Sequence, residues 1–180
     1  MQTFNKGASE VHVGATYWGV EATDSVSGDT FSVGSQGYVS AAHEDLEFPA
    51  VAAASGAVLM SFTLSGNGGP TGADNGGFYP SSAYTFVGSH VIHIAAMGKS
   101  PTDGFTEYQF YGTALSFLYR PRWGDYGQAV FDPTMGRFFF GSEYIQSPNC
   151  GNAAFFIDPT CGGTRSPFAN WGSSINSLPA

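Results

Sequence analysis

The stretch from Arg120 to Tyr144 predicts a β-hairpin, and this prediction constrains the fold more than any other part of the sequence. Residues Gly127 to Asp132 can form a first strand, and Arg137 to Ile145 can form a second, apolar strand. Between them, the segment Asp-Pro-Thr-Met-Gly contains a Pro and a Gly, which supply the backbone angles of a tight turn. A chain built on such a unit is expected to be a β protein.

A similar pattern occurs earlier in the chain. Residues 50–63 and 129–142 both show a strand of small residues, a turn and a strand of bulkier residues, and each pair precedes two further short strands. Repeated units of four antiparallel strands are typical of β-propeller blades. The sequence therefore predicts an all-β fold with half a blade at residues 11–40, one blade at 48–98 and another at 126–178. Two and a half blades make an incomplete β-propeller, so we expect the chain to be part of a larger one.

The composition agrees with this fold and excludes two classes of partner. Glycine accounts for 25 of the 180 residues, aromatic residues for 16% and charged residues for only 11%. No long stretch repeats apolar residues at helical spacing. The net charge of −8 would repel a phosphate backbone, so nucleic acid is not an expected partner. No run approaches the ~18 apolar residues that a membrane-spanning helix requires.

The two cysteines, Cys150 and Cys161, lie eleven positions apart in a segment rich in Gly, Asn and Pro. They lack the CxxC spacing and have no His nearby, which disfavours a metal site and favours a disulfide between them. A disulfide implies an oxidising compartment, so we expect a secreted, extracellular protein. Because no signal peptide follows Met1, we also expect the chain to begin inside a longer precursor.

Seven short segments occur in a characteristic order: QGYVSAAHEDLEFPAVA, LMSFTLSG, YPSSAY, HIAAMG, RPRWGDYGQAV, SEYI and CGGTR…ANW. In that order, from about Gly37 to Trp171, they resemble the C-terminal part of secreted bacterial proteins related to the BNR and sialidase-like β-propellers. The resemblance implies a propeller-like fold, an exported protein and a natural chain longer than this one. The sialidase Asp box is not intact, since Ser25 to Phe31 matches it only loosely. The resemblance therefore implies the fold and leaves the activity open.

The sharpest cluster of polar and aromatic residues precedes the hairpin and consists of Arg120, Arg122, Trp123, Asp125 and Tyr126. An arginine offers a planar fork for a carboxylate or an acidic sugar. The ring of Trp123 or Tyr126 can stack on a sugar. The cluster thus predicts a ligand-binding site for a glycan. The alternative is structural, with Trp123 in the core and Asp125 capping a turn beside an arginine.

Three residues are candidates for catalysis: Asp125, Tyr126 and Glu143. A glycoside hydrolase of the sialidase-like type would use Asp125 or Glu143 as acid and base, or a Tyr activated by a Glu. Adjacent residues of a strand point to opposite faces, so Tyr126 is a better partner for Glu143 than Tyr144 is. No complete catalytic set is visible. A binding or structural module is therefore favoured over the hydrolase.

The densest acidic segment contains His43, Glu44, Asp45 and Glu47. Several carboxylates close together can hold Ca²⁺, which prefers oxygen ligands. A solvated acidic loop explains the same pattern and is the favoured interpretation. No other metal or cofactor is expected.

An unclosed propeller leaves sheet edges and apolar faces bare, which invites association. We therefore expect the chain to pack against itself or against another chain that completes the propeller. Several aromatic residues are expected to face that contact in part: Phe131, Phe138 to Phe140, Phe155 and Phe156.

The expected disulfide gives a first testable prediction. Closing the loop between Cys150 and Cys161 should stabilise the fold by roughly 3 kcal/mol, because it removes conformational freedom from the unfolded chain. Titration of free thiols under denaturing, non-reducing conditions should find none. Two reactive thiols per chain would show that the prediction is wrong.

Overall fold

The computed structural model of the protein describes residues 2–5, 11–54, 56–66, 78–100, 124, 126–146 and 171–180. Within these ranges the chain forms ten β-strands, all in antiparallel sheets, and no helix. The predicted all-β class is therefore confirmed for this part of the chain. Because no helix occurs there, no described segment is a long apolar helix of the kind that crosses a membrane.

Three sheets are present, and each strand pairs with its neighbours in sequence. The N-terminal sheet contains β1 (Gln2–Asn5), β2 (Val11–Thr23) and β3 (Thr30–Val39). The central sheet contains β4 (Glu44–Ala54), β5 (Ala57–Gly66), β6 (Ser81–Phe86) and β7 (His93–Ala96). The C-terminal sheet contains β8 (Gln128–Asp132), β9 (Arg137–Tyr144) and β10 (Gly172–Pro179), in the spatial order β10-β9-β8.

The predicted hairpin is present as β8 and β9, within one residue of the expected bounds. Its turn depends on Asp132, whose Oδ1 accepts the N–H groups of Thr134 and Met135 at 2.8 and 3.2 Å. Gly136 closes the turn at φ 62°, a left-handed conformation that glycine adopts without steric cost. The turn residues therefore fix the register of the hairpin.

The two faces of the central sheet are both covered, and β5 shows this most clearly. Its residues 59–64 are all buried, instead of alternating between buried and exposed. The even-numbered side chains pack with the N-terminal sheet, in a cluster of Ala15, Val39, Leu46, Met60, Phe62, Leu64 and Ala83. The odd-numbered Leu59 packs with the C-terminal sheet, in a cluster of Ala52, Leu59, Phe138 and Phe140. A strand buried on both faces is expected to be apolar throughout, as β5 largely is.

Hydrogen bonds reinforce the contact between the central and C-terminal sheets. The Ser142 hydroxyl lies 3.2 Å from the carbonyl oxygen of Phe62 and 2.8 Å from the Ser82 hydroxyl. The Thr63 hydroxyl donates to the carbonyl oxygen of Glu143 at 2.9 Å. Beyond β9, the N–H of Ile145 donates to the carbonyl oxygen of Pro80 at 3.0 Å. These hydroxyl and backbone groups are thus paired between the two sheets, whereas the buried Ser61 hydroxyl has no hydrogen-bond partner among the described residues.

The aromatic run of β9 turns inward. Phe138 and Phe140 are buried in the chain's own core, so the expectation that they face a partner is wrong. Alternation along the strand explains this, because their side of the sheet covers the central sheet. Phe131 is half-buried against the same cluster, and Phe139 points to the opposite side. Phe155 and Phe156 lie outside the described residues.

Two methionines allow a matched test of this core. Met60 is buried between the N-terminal and central sheets, whereas Met135 is exposed in the β8–β9 turn. Met60→Ala should lower the free energy of unfolding by about 2–5 kcal/mol, because it removes buried methylenes and leaves a cavity. Met135→Ala should change it by less than about 0.5 kcal/mol. Urea unfolding followed by tryptophan fluorescence measures both, and equal effects would contradict the assigned core.

Candidate functional site

Of the five residues in the predicted binding cluster, the structure describes only Tyr126. Arg120, Arg122, Trp123 and Asp125 lie outside the described residues. Tyr126 is described, and its side chain is 81% exposed. The structural interpretation concerns Trp123 and Asp125, so it also stays untested. The role of the other four residues stays a prediction.

Glu143 lies near the end of β9, and its carboxylate binds the backbone just before Tyr126. Its Oε2 accepts the N–H of Gly124 at 2.6 Å. Gly124 is buried at φ 75°, and a Cβ there would lie 2.8 Å from the ring of Phe48. Only glycine fits this close approach without strain. The carboxylate therefore anchors a glycine against Phe48, which fixes the backbone two residues before Tyr126.

The neighbouring Tyr144 does not share a face with Glu143. Glu143 lies opposite Ser173 in the register of β9 and β10, and Tyr144 lies opposite Gly172. Successive residues of a strand point to opposite sides, so the carboxylate cannot easily activate the Tyr144 hydroxyl. Tyr126 as the partner of Glu143 stays a prediction.

A β-bulge in β4 supports the same region from the central sheet. The register of β4 against β5 shifts between Glu47 and Ala50, and Phe48 has φ 53°. A bulky residue in this conformation costs on the order of 1–3 kcal/mol. A Cβ at Gly127 would lie 2.8 Å from the carbonyl oxygen of Phe48, so the start of β8 follows the bulge closely. The bulge thus shapes the surface on which the Tyr126 segment rests.

The acidic segment is not a solvated loop, so the favoured interpretation of the sequence is wrong. Residues 44–47 belong to β4, and Glu44 is only 4% exposed. Its Oε1 accepts the N–H of Phe78 at 2.8 Å, whereas its Oε2 has no hydrogen-bond partner among the described residues. Burial raises the pKa of Glu44 to about 7, although the hydrogen bond from Phe78 opposes the shift. The nearby Asp45 carboxylate raises this pKa further.

Asp45 links the central sheet to the N-terminal sheet. Its Oδ1 accepts the N–H of Val13 at 2.6 Å and lies 3.4 Å from Nδ1 of His12. The pKa of Glu47 is also raised, by burial and by the charge of Asp45. No group of three or more His, Cys, Asp or Glu side chains within the described ranges is arranged to hold a metal ion. The Ca²⁺ interpretation of this segment therefore gains no support from the described acids, of which Glu44 and Asp45 bind backbone N–H groups.

A further surface was not identified from the sequence. One face of β2 and β3 exposes five large side chains: Trp18, Val20, Phe31, Val33 and Tyr38. The signal was the alternation of Trp18 and Val20 with Gly19 and Glu21. Such alternation normally places the apolar side in the core. In this protein the apolar side of β2 and β3 faces solvent instead. The residue pattern of a single strand does not show which of its sides is buried.

Comparison with protein-family models finds no match for this chain, and a search of curated proteins finds no significantly similar sequence. Neither comparison bears on the resemblance to sialidase-like propellers, which stays a prediction.

The raised pKa of Glu44 predicts a dependence of stability on pH. Between about pH 4.5, its ordinary value, and about pH 7, the folded protein keeps a proton that the unfolded chain has released. The contribution of Glu44 to stability should therefore be complete below this window and should fall by about 3 kcal/mol as the pH rises through it. Glu44→Gln keeps an acceptor for Phe78 and cannot titrate, so it should remove this part of the slope.

Urea unfolding at several pH values measures the difference between wild type and variant. Glu21→Gln, at an exposed position of β2, is the matched control and should keep the wild-type slope. Glu47 is present in all three proteins and so does not affect the comparison. Parallel curves for wild type and Glu44→Gln would show that Glu44 does not titrate in this window.

Proposed function

We propose that this chain is a β-propeller-like module of an exported protein, and that it binds glycans instead of cleaving them. The propeller-like arrangement is supported by how the sheets stack. β4 contacts β8 and β5 contacts β9, so strands in corresponding positions of two successive sheets lie together. The central sheet is a four-stranded antiparallel meander, which is the form of a propeller blade.

The exposure of Tyr126 and the hydrogen bond of Glu143 favour glycan binding over hydrolysis. The Tyr126 ring is open to solvent, while the Glu143 carboxylate accepts a backbone N–H and is half-buried. An open ring on a fixed backbone is suited to stacking on a sugar, because little conformational freedom is lost on binding. A retaining hydrolase instead needs two carboxyl groups about 5–5.5 Å apart, one of them free to transfer a proton. Glu143 is already engaged in holding Gly124.

The expected ligand is a sugar surface that presents one apolar face to Tyr126. The arginines at positions 120 and 122 are the groups that would favour an acidic sugar such as a sialoside. A panel of neutral and sialylated oligosaccharides therefore tests both the binding and its chemistry. Secretion is part of the same proposal and is supported by the acidic, lysine-poor composition.

The test compares two tyrosine variants on that panel. Tyr126→Ala should weaken binding of the best oligosaccharide by about tenfold, because it removes the stacking ring. Tyr38→Ala removes another exposed ring, from β3, which is 60% exposed against 81% for Tyr126, and should leave the affinity unchanged. Isothermal titration calorimetry or affinity electrophoresis measures both. Loss of binding in Tyr38→Ala alone would place the sugar on the wrong surface for this proposal.

A hydrolysis assay separates binding from catalysis. Fluorogenic sialosides and neutral glycosides should not be turned over by the wild-type chain. Turnover that is abolished by Glu143→Gln would overturn the proposal and favour the glycoside hydrolase. The Gln variant is suitable because its side-chain oxygen can still accept the Gly124 N–H.

A further inference from the structure

The hairpin of β2 and β3 extends beyond the part of the N-terminal sheet that packs on the central sheet. Ala15 and Val39 form its last buried pair. Beyond this pair, residues 16–23 and 30–38 form a two-stranded ribbon, which we call the outer ribbon. All residues from 18 to 36 except one glycine are exposed. A two-stranded ribbon is at best marginally stable in water, so a layer that covers its apolar side chains should stabilise it.

The apolar side chains of the outer ribbon point away from the rest of the chain. Ala15 and Val39 face the central sheet, and side chains alternate along a strand, so Thr16 and Tyr38 beside them point to the opposite side. We call this outward side the apolar face. It carries four cross-strand pairs: Thr16 with Tyr38, Trp18 with Gln36, Val20 with Val33, and Ala22 with Phe31.

The exposed area of the apolar face is large for a single protein molecule. Its five large side chains, three aromatic rings and two valines, are each 57–70% exposed. A fully exposed aromatic side chain presents about 150–250 Å², so the rings contribute roughly 400 Å², and the valines with the exposed Ala22 and Gln36 bring the face to roughly 600 Å². This is at the upper end of what a monomeric protein leaves exposed, and such patches usually mark contact sites.

The distribution of charge favours a second copy of the chain as the occupant of this face. The chain carries a net charge of −8, so two copies repel each other least where neither surface is charged. None of the eight residues of the apolar face is charged, whereas Glu21 lies on the other side of the ribbon and the exposed Asp24 and Asp29 lie at its tip. Aromatic enrichment without charge is also the composition of interface cores.

We propose that the apolar faces of two copies of this chain pack on each other about a two-fold axis, with the two outer ribbons antiparallel. Both copies use the same face, so the contact is isologous and closes at two copies. The antiparallel arrangement places each acidic tip beside the base of the partner's ribbon and keeps the two tips apart. The N-terminal sheets then stack face to face, as the central sheet already does with its two neighbours.

The area of this contact matches a dimer of modest affinity. Each copy would bury roughly 600 Å², which gives about 1,200 Å² in total and reaches the lower end of the range for specific, stable interfaces. A dimer that dissociates on dilution is therefore expected. The inference does not depend on glycan binding.

Light scattering coupled to size-exclusion chromatography tests the proposal with the full chain. The wild type should show twice its mass of 18.9 kDa at about 50 μM and a falling mass on dilution. Val33→Asp places a charge in the apolar face and should raise the dissociation constant at least about tenfold. Ser32→Asp is the matched control, because it adds the same charge at the adjacent exposed position on the other side of the ribbon, and it should leave the dimer intact.

A mixing experiment tests the two-fold contact itself. Val33 pairs with Val20 near the middle of the apolar face, so in a two-fold contact it lies close to the same position of the second copy. Val33→Asp and Val33→Lys should each be monomeric, and an equimolar mixture should form a heterodimer because the two opposite charges meet across the axis. If the apolar face docked on a different surface of the second copy, both variants would be weakened and mixing would restore nothing.

Two controls keep the test independent of folding. Circular dichroism should show that the Val33 variants keep the β structure of the wild type. Trp18→Ala adds no charge and removes the largest ring of the face, so it should also weaken the dimer by about tenfold.

Three outcomes would overturn the proposal. The first is a wild-type chain that stays monomeric and folded at about 50 μM. The second is equal dissociation by Val33→Asp and Ser32→Asp. The third is a mixture of folded Val33→Asp and Val33→Lys that stays monomeric.

Discussion

The burial of β5 on both of its faces is the constraint on which the described structure depends. A strand of this kind has no solvent side, so each neighbouring sheet must supply an apolar layer and must also pair the polar groups it covers. Phe62 and Met60 require the N-terminal sheet, and Leu59 requires the C-terminal sheet. Hydrogen bonds from the Ser142 and Thr63 hydroxyls then stabilise the contact between the central and C-terminal sheets. Removing either outer sheet would expose a complete layer of the core.

Backbone strain at Phe48 and close packing of two glycines occur together just before the C-terminal sheet begins. Phe48 adopts a conformation that is unfavourable for an aromatic residue, and two glycines accommodate its ring and its carbonyl oxygen. Glu143 completes the arrangement by accepting the Gly124 N–H. The position of Tyr126 is therefore set by residues from β4, β9 and the connecting segment together. The backbone beneath the Tyr126 ring is thus fixed, which distinguishes this residue from an exposed tyrosine on a free loop.

Sequence patterns were informative wherever local chemistry decides the structure. The turn between β8 and β9 follows from Asp132 and Gly136, and the break between β4 and β5 follows from a glycine that adopts φ 80°. The acidic segment was misjudged because a glutamate in such a segment is expected to be solvated, whereas the Glu44 side chain is buried and accepts the Phe78 N–H. The exposed apolar face of β2 and β3 was missed for a related reason. Which face of a ribbon is buried depends on tertiary neighbours that alternation alone does not specify.

The unequal attachment of the three sheets implies an order in which they open. The N-terminal sheet is tied to the rest by its base around Ala15 and Val39 and by the hydrogen bond from Val13 to Asp45. The backbone amides of β5 are bonded to β4 and β6 and lie between two apolar layers. In a single chain, the amide hydrogens of residues 16–23 and 30–38 should therefore exchange with solvent through local fraying, whereas those of β5 should exchange only when the whole core unfolds. The inner sheets and the outer ribbon are thus expected to open as separate units.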